Sequence, residues 1–84
     1  MIELVLYGAA GCTLCAEAAA QLAPLRRVYR VEYHEVDIHG DAALARRYLL
    51  EVPVVTVNGV VTSAGPLDLD AVRAALRLAG APAS

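Results

Sequence analysis

Apolar residues first gather in "IELVLY" at positions 2 to 7, a strand-prone run stopped by Gly8 and Gly11. So little alternation predicts a central strand, β1 (2–7), covered on both faces. After Cys12, the residues Leu14, Ala18, Leu22 and Leu25 recur at helical spacing while Glu17 and Gln21 share another face, which predicts a helix, α1. Pro24 is expected to end α1 near residue 23 or to kink it there, because proline lacks the N–H that a helix interior uses. Residues 28 to 38, "VYRVEYHEVDI", alternate through Val31, Glu32, Tyr33 and His34 and lose phase before Val36. An edge strand with a bulge, β2 (28–38), accounts for both features.

Gly40 breaks the pattern, and Asp41 is placed to cap the next helix, α2 (42–50), in which Ala45, Tyr48 and Leu49 share a face. "VPVVTVNGVVTS" then sets two β-branched runs, β3 and β4, on either side of Asn58-Gly59. Both turn residues tolerate the positive φ of a type I′ hairpin. Leu69, Val72, Leu76 and Ala79 mark the buried stripe of a last helix, α3 (69–79), opened by Asp68 and closed by Gly80, and only "APAS" trails beyond. The predicted order is therefore β1-α1-β2-α2-β3-β4-α3, with no internal repeat or linker: one domain over residues 1–84. The βαβ unit makes β1 and β2 parallel and the hairpin makes β3 and β4 antiparallel. The expected fold is α/β, a four-stranded mixed sheet with helices on both faces.

Composition trims this picture. Hydrophobic residues are 58% of the chain, but seventeen are alanine and there is no Phe or Trp, so Val, Leu and Tyr must fill a lean core. All seven basic residues are Arg, against nine acidic ones, and the net charge of −2 offers no electrostatic reason to expect nucleic acid or an anionic membrane. The N-terminal "MIELVLYG" carries Glu3 and lacks a basic signal-peptide region. The longest uncharged run, residues 52 to 67, is broken by Asn58, Gly59 and two prolines and falls short of the ~20 residues a membrane span needs. A soluble, cytoplasmic protein is expected.

Candidate chemistry concentrates in "GAAGCTLCAEAAA" at 8 to 20, which holds both cysteines. Three fates are open to them: a redox couple, half of a metal site, or two small buried thiols. The start of a helix leaves N–H groups unpaired and carries partial positive charge, so a thiolate at Cys12 is stabilised relative to a free thiol of pKa about 8.5. Cys15, one turn on, lies within disulfide reach. Unequal roles follow, with Cys12 the attacking nucleophile and Cys15 the resolving thiol. For a metal site, His34 and His39 complete a C-x2-C…H-x4-H count, although most of the residues between Cys15 and His34 belong to α1 and the two histidines fall on a strand and a loop rather than one helix face.

Beyond the cysteines, "LVLYGAAGCTLC" at 4 to 15, "VPVV" at 52 to 55 and the hairpin after it resemble the glutaredoxin-like members of the thioredoxin superfamily over nearly the whole chain. The resemblance implies a thioredoxin/glutaredoxin-like fold and a thiol-disulfide oxidoreductase with catalytic Cys12 and Cys15. It further implies that the Val52-Pro53 bond is cis and faces the dithiol, and that Thr13, Leu14, Val52 and Pro53 bind substrate. No cofactor is required. The implied partners are protein or low-molecular-weight disulfides, with glutathione or thioredoxin reductase as reductant, and the protein acts as a monomer. Two departures from the family pattern stand out: Ala9 replaces a basic residue three positions before the nucleophile, and "TSAGPLDLD" replaces a Gly-Gly pair after the hairpin. Both positions help many glutaredoxins hold glutathione carboxylates, which leaves Arg46 or Arg47 as the candidate positive group. Thr13 stands where dithiol members often carry proline, an exchange resembling variants that hold an iron–sulfur cluster between two copies. The alternative function is thus a metal-binding or non-catalytic interaction module on the same fold.

Overall fold

The computed structural model describes residues 1–80; the trailing "APAS" lies outside the described residues. Four strands, β1 (Ile2–Gly8), β2 (Val31–Asp37), β3 (Val54–Val57) and β4 (Val60–Ala64), form one sheet in the order β2-β1-β3-β4. β2 runs parallel to β1, and β3 pairs antiparallel with both β1 and β4. Because successive side chains on a strand point to opposite faces, β1 feeds two clusters. Ile2, Leu4 and Leu6 pack with Ala18, Leu22 and Leu25 of helix α1 (Thr13–Val28) and with Val72 and Leu76 of helix α3 (Leu69–Leu78). On the other face, Tyr7 joins Ile38, Val54 and Tyr48 of helix α2 (Ala42–Tyr48). The mixed sheet, its element order and helices on both faces match the expectation.

Several local expectations do not. Helix α1 continues through Pro24 to Val28. Leu22 and Leu25, on either side of the proline, are buried in the main cluster, while Pro24 itself faces solvent; packing of the flanking turn outweighs one missing hydrogen bond. Cys15, not Leu14, joins Ala18, Leu22 and Leu25 on the buried face, leaving Leu14 43% exposed. Strand β2 is an edge strand, but its register with β1 is unbroken from Val31 to Asp37. Its loss of phase is a change of covered face: Val31 and Tyr33 lie on the α1 side, Val36 on the α2 side beside Tyr7, and Glu35 keeps the α1-side position opposite Leu6.

The bulge falls instead in the hairpin. Val55 pairs with Ser63 and Thr56 with Val61, so Thr62 is the extra residue, and its hydroxyl donates to the Val55 carbonyl at 3.2 Å. The turn itself has φ of 50° at Asn58 and 82° at Gly59, the two positive values a type I′ turn demands. Asn58 also ties the hairpin to β1: its Oδ1 accepts from the Glu3 N–H at 2.9 Å, and its own N–H donates to the Glu3 carbonyl at 2.8 Å.

Caps behave as read. Asp41 Oδ1 accepts from Ala43 and Leu44 N–H groups, and Asp68 Oδ1 from that of Ala71. Helix α2 stops at Tyr48, two residues short of the expected end. Leu44 takes the semi-buried place expected of Leu49, which is 53% exposed, and Leu50 is 96% exposed. The reason is a tight exit. The N–H groups of Glu51 and Val52 both donate to the Tyr48 carbonyl, at 2.8 and 3.1 Å, turning the chain back toward the sheet before Pro53. Ala79 caps the end of α3 and is exposed rather than part of its buried stripe. Among the described residues, no helix is long and apolar enough to cross a membrane.

Candidate active site

Strand β1 ends at Gly8, and the loop of Ala9, Ala10 and Gly11 carries the chain into α1. Gly11 sits at φ +76°, a region that L side chains rarely adopt, and the Cys12 N–H donates to the Ala9 carbonyl at 3.3 Å to close the turn. Cys12 is the N-cap of α1. Its Sγ accepts from the Cys15 N–H at 3.1 Å, one of the donors that the first helical turn leaves unpaired. Cys12 and Cys15 are joined as a disulfide, with Cα atoms 5.2 Å apart.

The two sulfurs are unequally placed. Cys12 is half-buried at the helix end, whereas Cys15 is 8% exposed and packs over the end of β1. A larger residue at Gly8 would crowd that packing. A Cβ there would lie 3.2 Å from the Cys15 Cβ and 3.3 Å from its Sγ. In the sequence Gly8 reads as a strand stop; its position beneath a cysteine seven residues later has no periodic signature. Thr13 and Leu14, between the cysteines, are exposed.

Val52 and Pro53 lie at the head of β3. Their peptide bond is cis, Pro53 is fully buried, and the Pro53 carbonyl accepts from the Gly65 N–H at 3.0 Å. Val52 is half-buried, with its N–H already engaged by Tyr48 as described. Below it, the Tyr48 and Tyr7 rings meet at 5.1 Å between centroids, and the Arg47 guanidinium lies 5.4 Å over the Tyr48 ring.

A cavity of about 420 Å³ opens beside the disulfide on the opposite side of β1, between α1 and the C-terminal end of β2. Both cysteines line it, with Ala16 and Ala19 of α1, Leu6 of β1, and Glu35 and Asp37 of β2; Val52 and Pro53 do not. Strand order explains the split. β2 flanks β1 on one side and β3 on the other, so the disulfide above the end of β1 has the cavity to one flank and the proline-led strand to the other. This second flank went unread in the sequence, where Glu35 and Asp37 belong to a strand whose alternation already looked irregular.

Of the residues lining the cavity, Glu35 accepts through Oε2 from the Tyr33 hydroxyl at 2.8 Å, and the Arg26 guanidinium stacks 3.9 Å from the Tyr33 ring centroid. Burial, reinforced by the Glu35 hydrogen bond and charge and only partly opposed by Arg26, pushes the Tyr33 phenol above the ordinary tyrosine range. The histidines do not converge on the cysteines: among the described residues, the one cluster of three metal-ligand groups is Glu3, Glu32 and His34, all exposed on the other face of the sheet.

Comparison with known proteins agrees with this architecture. The chain is similar to protein Ne2328 from Nitrosomonas europaea, at 33% identity over 87% of this chain and 88% of that one, with a TM-score of 0.76. Target protein XcR50 from X. campestris is 32% identical over 89% of this chain and 96% of that one, with a TM-score of 0.67. A mutant thioredoxin from Halobacterium salinarum NRC-1, at 22% identity over 87% of this chain and 69% of that one, shares the fold with a TM-score of 0.66. No curated protein sequence matches. The model of the glutaredoxin-like domain (DUF836) matches residues 3–77, and with a paired Cys12-Cys15 at the head of α1 on a thioredoxin-like sheet, the chain belongs to that glutaredoxin-like family.

Proposed function

We propose that the protein is a thiol-disulfide oxidoreductase that cycles the Cys12-Cys15 pair between dithiol and disulfide. The observation that carries this reading is the asymmetry of the pair: Cys12 is half-buried at the N-cap of α1, and Cys15, bonded to it, is buried. In the reduced protein the Cys15 N–H and the helix N-terminus stabilise a thiolate at Cys12. That thiolate attacks a substrate disulfide, forming a Cys12–substrate bond and releasing one substrate thiolate, which takes up a proton. Cys15 then attacks Cys12 Sγ, the second substrate thiol leaves, and the two electrons of the dithiol have passed to the substrate. A thiol reductant, glutathione or one supplied through thioredoxin reductase, returns the pair to its starting state. The cytoplasm, where such reductants are abundant, suits this cycle.

Thr13 and Leu14, exposed beside Cys12, are the contacts this reading gives to substrate, with Val52 and Pro53 flanking the far side. The test is a Cys15→Ser variant, which should accumulate mixed disulfides on Cys12, while Cys12→Ser should trap none. A reduced wild-type protein whose Cys12 alkylates only in the ordinary cysteine pH range, and whose Cys15→Ser form traps no partner, would mark the fold as a non-catalytic interaction module.

A further inference from the structure

Among the described residues, two charged side chains line the cavity beside the disulfide, Glu35 and Asp37, and both are acidic. Each is held in place by one oxygen. Glu35 Oε2 accepts from the Tyr33 hydroxyl at 2.8 Å, and Asp37 Oδ1 accepts from the His39 N–H at 2.9 Å. The second oxygen of each carboxylate makes no hydrogen bond or ion pair among the described residues. Arg26, farther along α1, spends its guanidinium on the Tyr33 ring and forms no ion pair with Glu35. The remaining lining is the two cysteines with glycine, alanine, Leu6 and Val36, and the volume of about 420 Å³ falls in the range of small-molecule sites.

The helix N-terminus pulls the other way, since it favours anions. Its charge is engaged at Cys12 Sγ, which accepts from the Cys15 N–H. A substrate group a few bonds from the attacked sulfur would therefore meet apolar walls and two oriented carboxylates. We propose that this cavity is a substrate subsite selecting small disulfides that carry an ammonium group near the sulfur, the class of aminoalkyl disulfides. The inference rests on the oxidoreductase reading above and gives its substrate a charge. Glutathione disulfide, with four carboxylates against two ammonium groups, is a poor match for it.

The reaction balances as protein dithiol plus R–S–S–R giving protein disulfide plus two R–SH, with R an aminoalkyl group. Pre-reduced protein is mixed with cystamine, neutral hydroxyethyl disulfide or anionic dithiodiglycolate, and each rate is divided by the same disulfide's rate with mercaptoethanol, whose thiolate shares the negative charge of the attacker. Cystamine is expected to lead the neutral disulfide by about fivefold and the anionic one by more, given the modest strength of exposed charge pairs. The preference should shrink toward parity in about 1 M salt, where the Debye length is about 3 Å. In Glu35→Gln/Asp37→Asn the cystamine-to-neutral ratio should also approach parity; both replacements keep an acceptor for Tyr33 and His39.

Equal normalised rates in the wild type, or a preference untouched by the double variant, would overturn the subsite. Failure of the parent reading looks different: hydroxyethyl disulfide would leave the dithiol unoxidised. The charge preference is then read without any reaction, by titrating the oxidised protein with hexamethylenediamine, the sulfur-free isostere of cystamine. Amide shifts at Ala16, Ala19 and Val36 with the diamine and none with hexanediol support the subsite; shifts with neither exclude it.

Discussion

A methyl group on Gly8 would have to share space with Cys15, whose Cβ and Sγ would lie 3.2 and 3.3 Å away, and the bond to Cys12 limits how far Cys15 can yield. Gly8→Ala is therefore expected to cost the oxidised protein about 1–2 kcal/mol, the usual scale of overpacking. At about 4–8 °C per kcal/mol for a domain of this size, thermal unfolding should detect it, with a smaller loss in the reduced protein, where Cys15 can shift. Equal melting of variant and wild type would mean that the strand end has slack. Tyr33 gives the second residue-scale expectation. Below about pH 10, the ordinary tyrosine value, folded and unfolded chains both hold a neutral phenol. Above it the unfolded chain ionises first, because the fold raises the Tyr33 pKa, so stability should fall as pH rises through the alkaline range. Tyr33→Phe should flatten that fall in denaturant titrations run on either side of pH 10. Neither residue announces its role by pattern: Gly8 matters through a contact, and Tyr33 through burial that the carboxylate two positions on reinforces.

Elements were legible where local chemistry decides them. Asp41 and Asp68 as caps, and Asn58-Gly59 as a turn, depend on neighbours within three residues, and the structure agrees at each. The misread boundaries were set from a distance. Pro24 is a helix breaker by its own chemistry, yet Leu22 and Leu25 draw the chain on either side of it into the core. Because Pro24 faces solvent, Pro24→Ala is expected to stabilise the protein by about 1 kcal/mol or more, the intrinsic helix penalty of proline being roughly 3 less the freedom the unfolded chain regains. Chemical denaturation measures it, and a loss of stability would show that the proline shapes the helix rather than merely being tolerated. Similarly, α2 ends where the Tyr48 carbonyl collects two N–H groups, an exit dictated by the return to β3 rather than by "YLL".

At the scale of the whole molecule, the pattern of β-branched runs and helical stripes was enough for element order and sheet class, since these follow from periodicity and connection rules. The site was half legible. The cysteines, their unequal burial and the adjoining proline could be anticipated, whereas the cavity on the β2 side arises from tertiary placement of residues that look unremarkable in line. Reduction should lower stability without unfolding the protein. The disulfide closes a loop of only two intervening residues, and the main core, Leu4, Leu22, Val55, Val72 and Leu76, lies elsewhere along the sheet. Treatment with dithiothreitol is expected to leave the far-ultraviolet circular dichroism unchanged and to lower stability by no more than about 2 kcal/mol, the chain-entropy value for so short a loop; unfolding on reduction would show that the bridge holds the fold.

The occupied N–H of Val52 bears on what kind of partner the protein can serve. A peptide lying alongside Val52 in extended form would meet a backbone whose donor is already committed to Tyr48. Making the full pair of main-chain bonds would require breaking that contact, at about 0.5–1.5 kcal/mol per hydrogen bond. A small disulfide needs no backbone pairing and incurs no such cost. On the oxidoreductase reading proposed above, the short exit from α2 would thus act as a filter on molecular size, weakening the grip on long chains more than on compact disulfides.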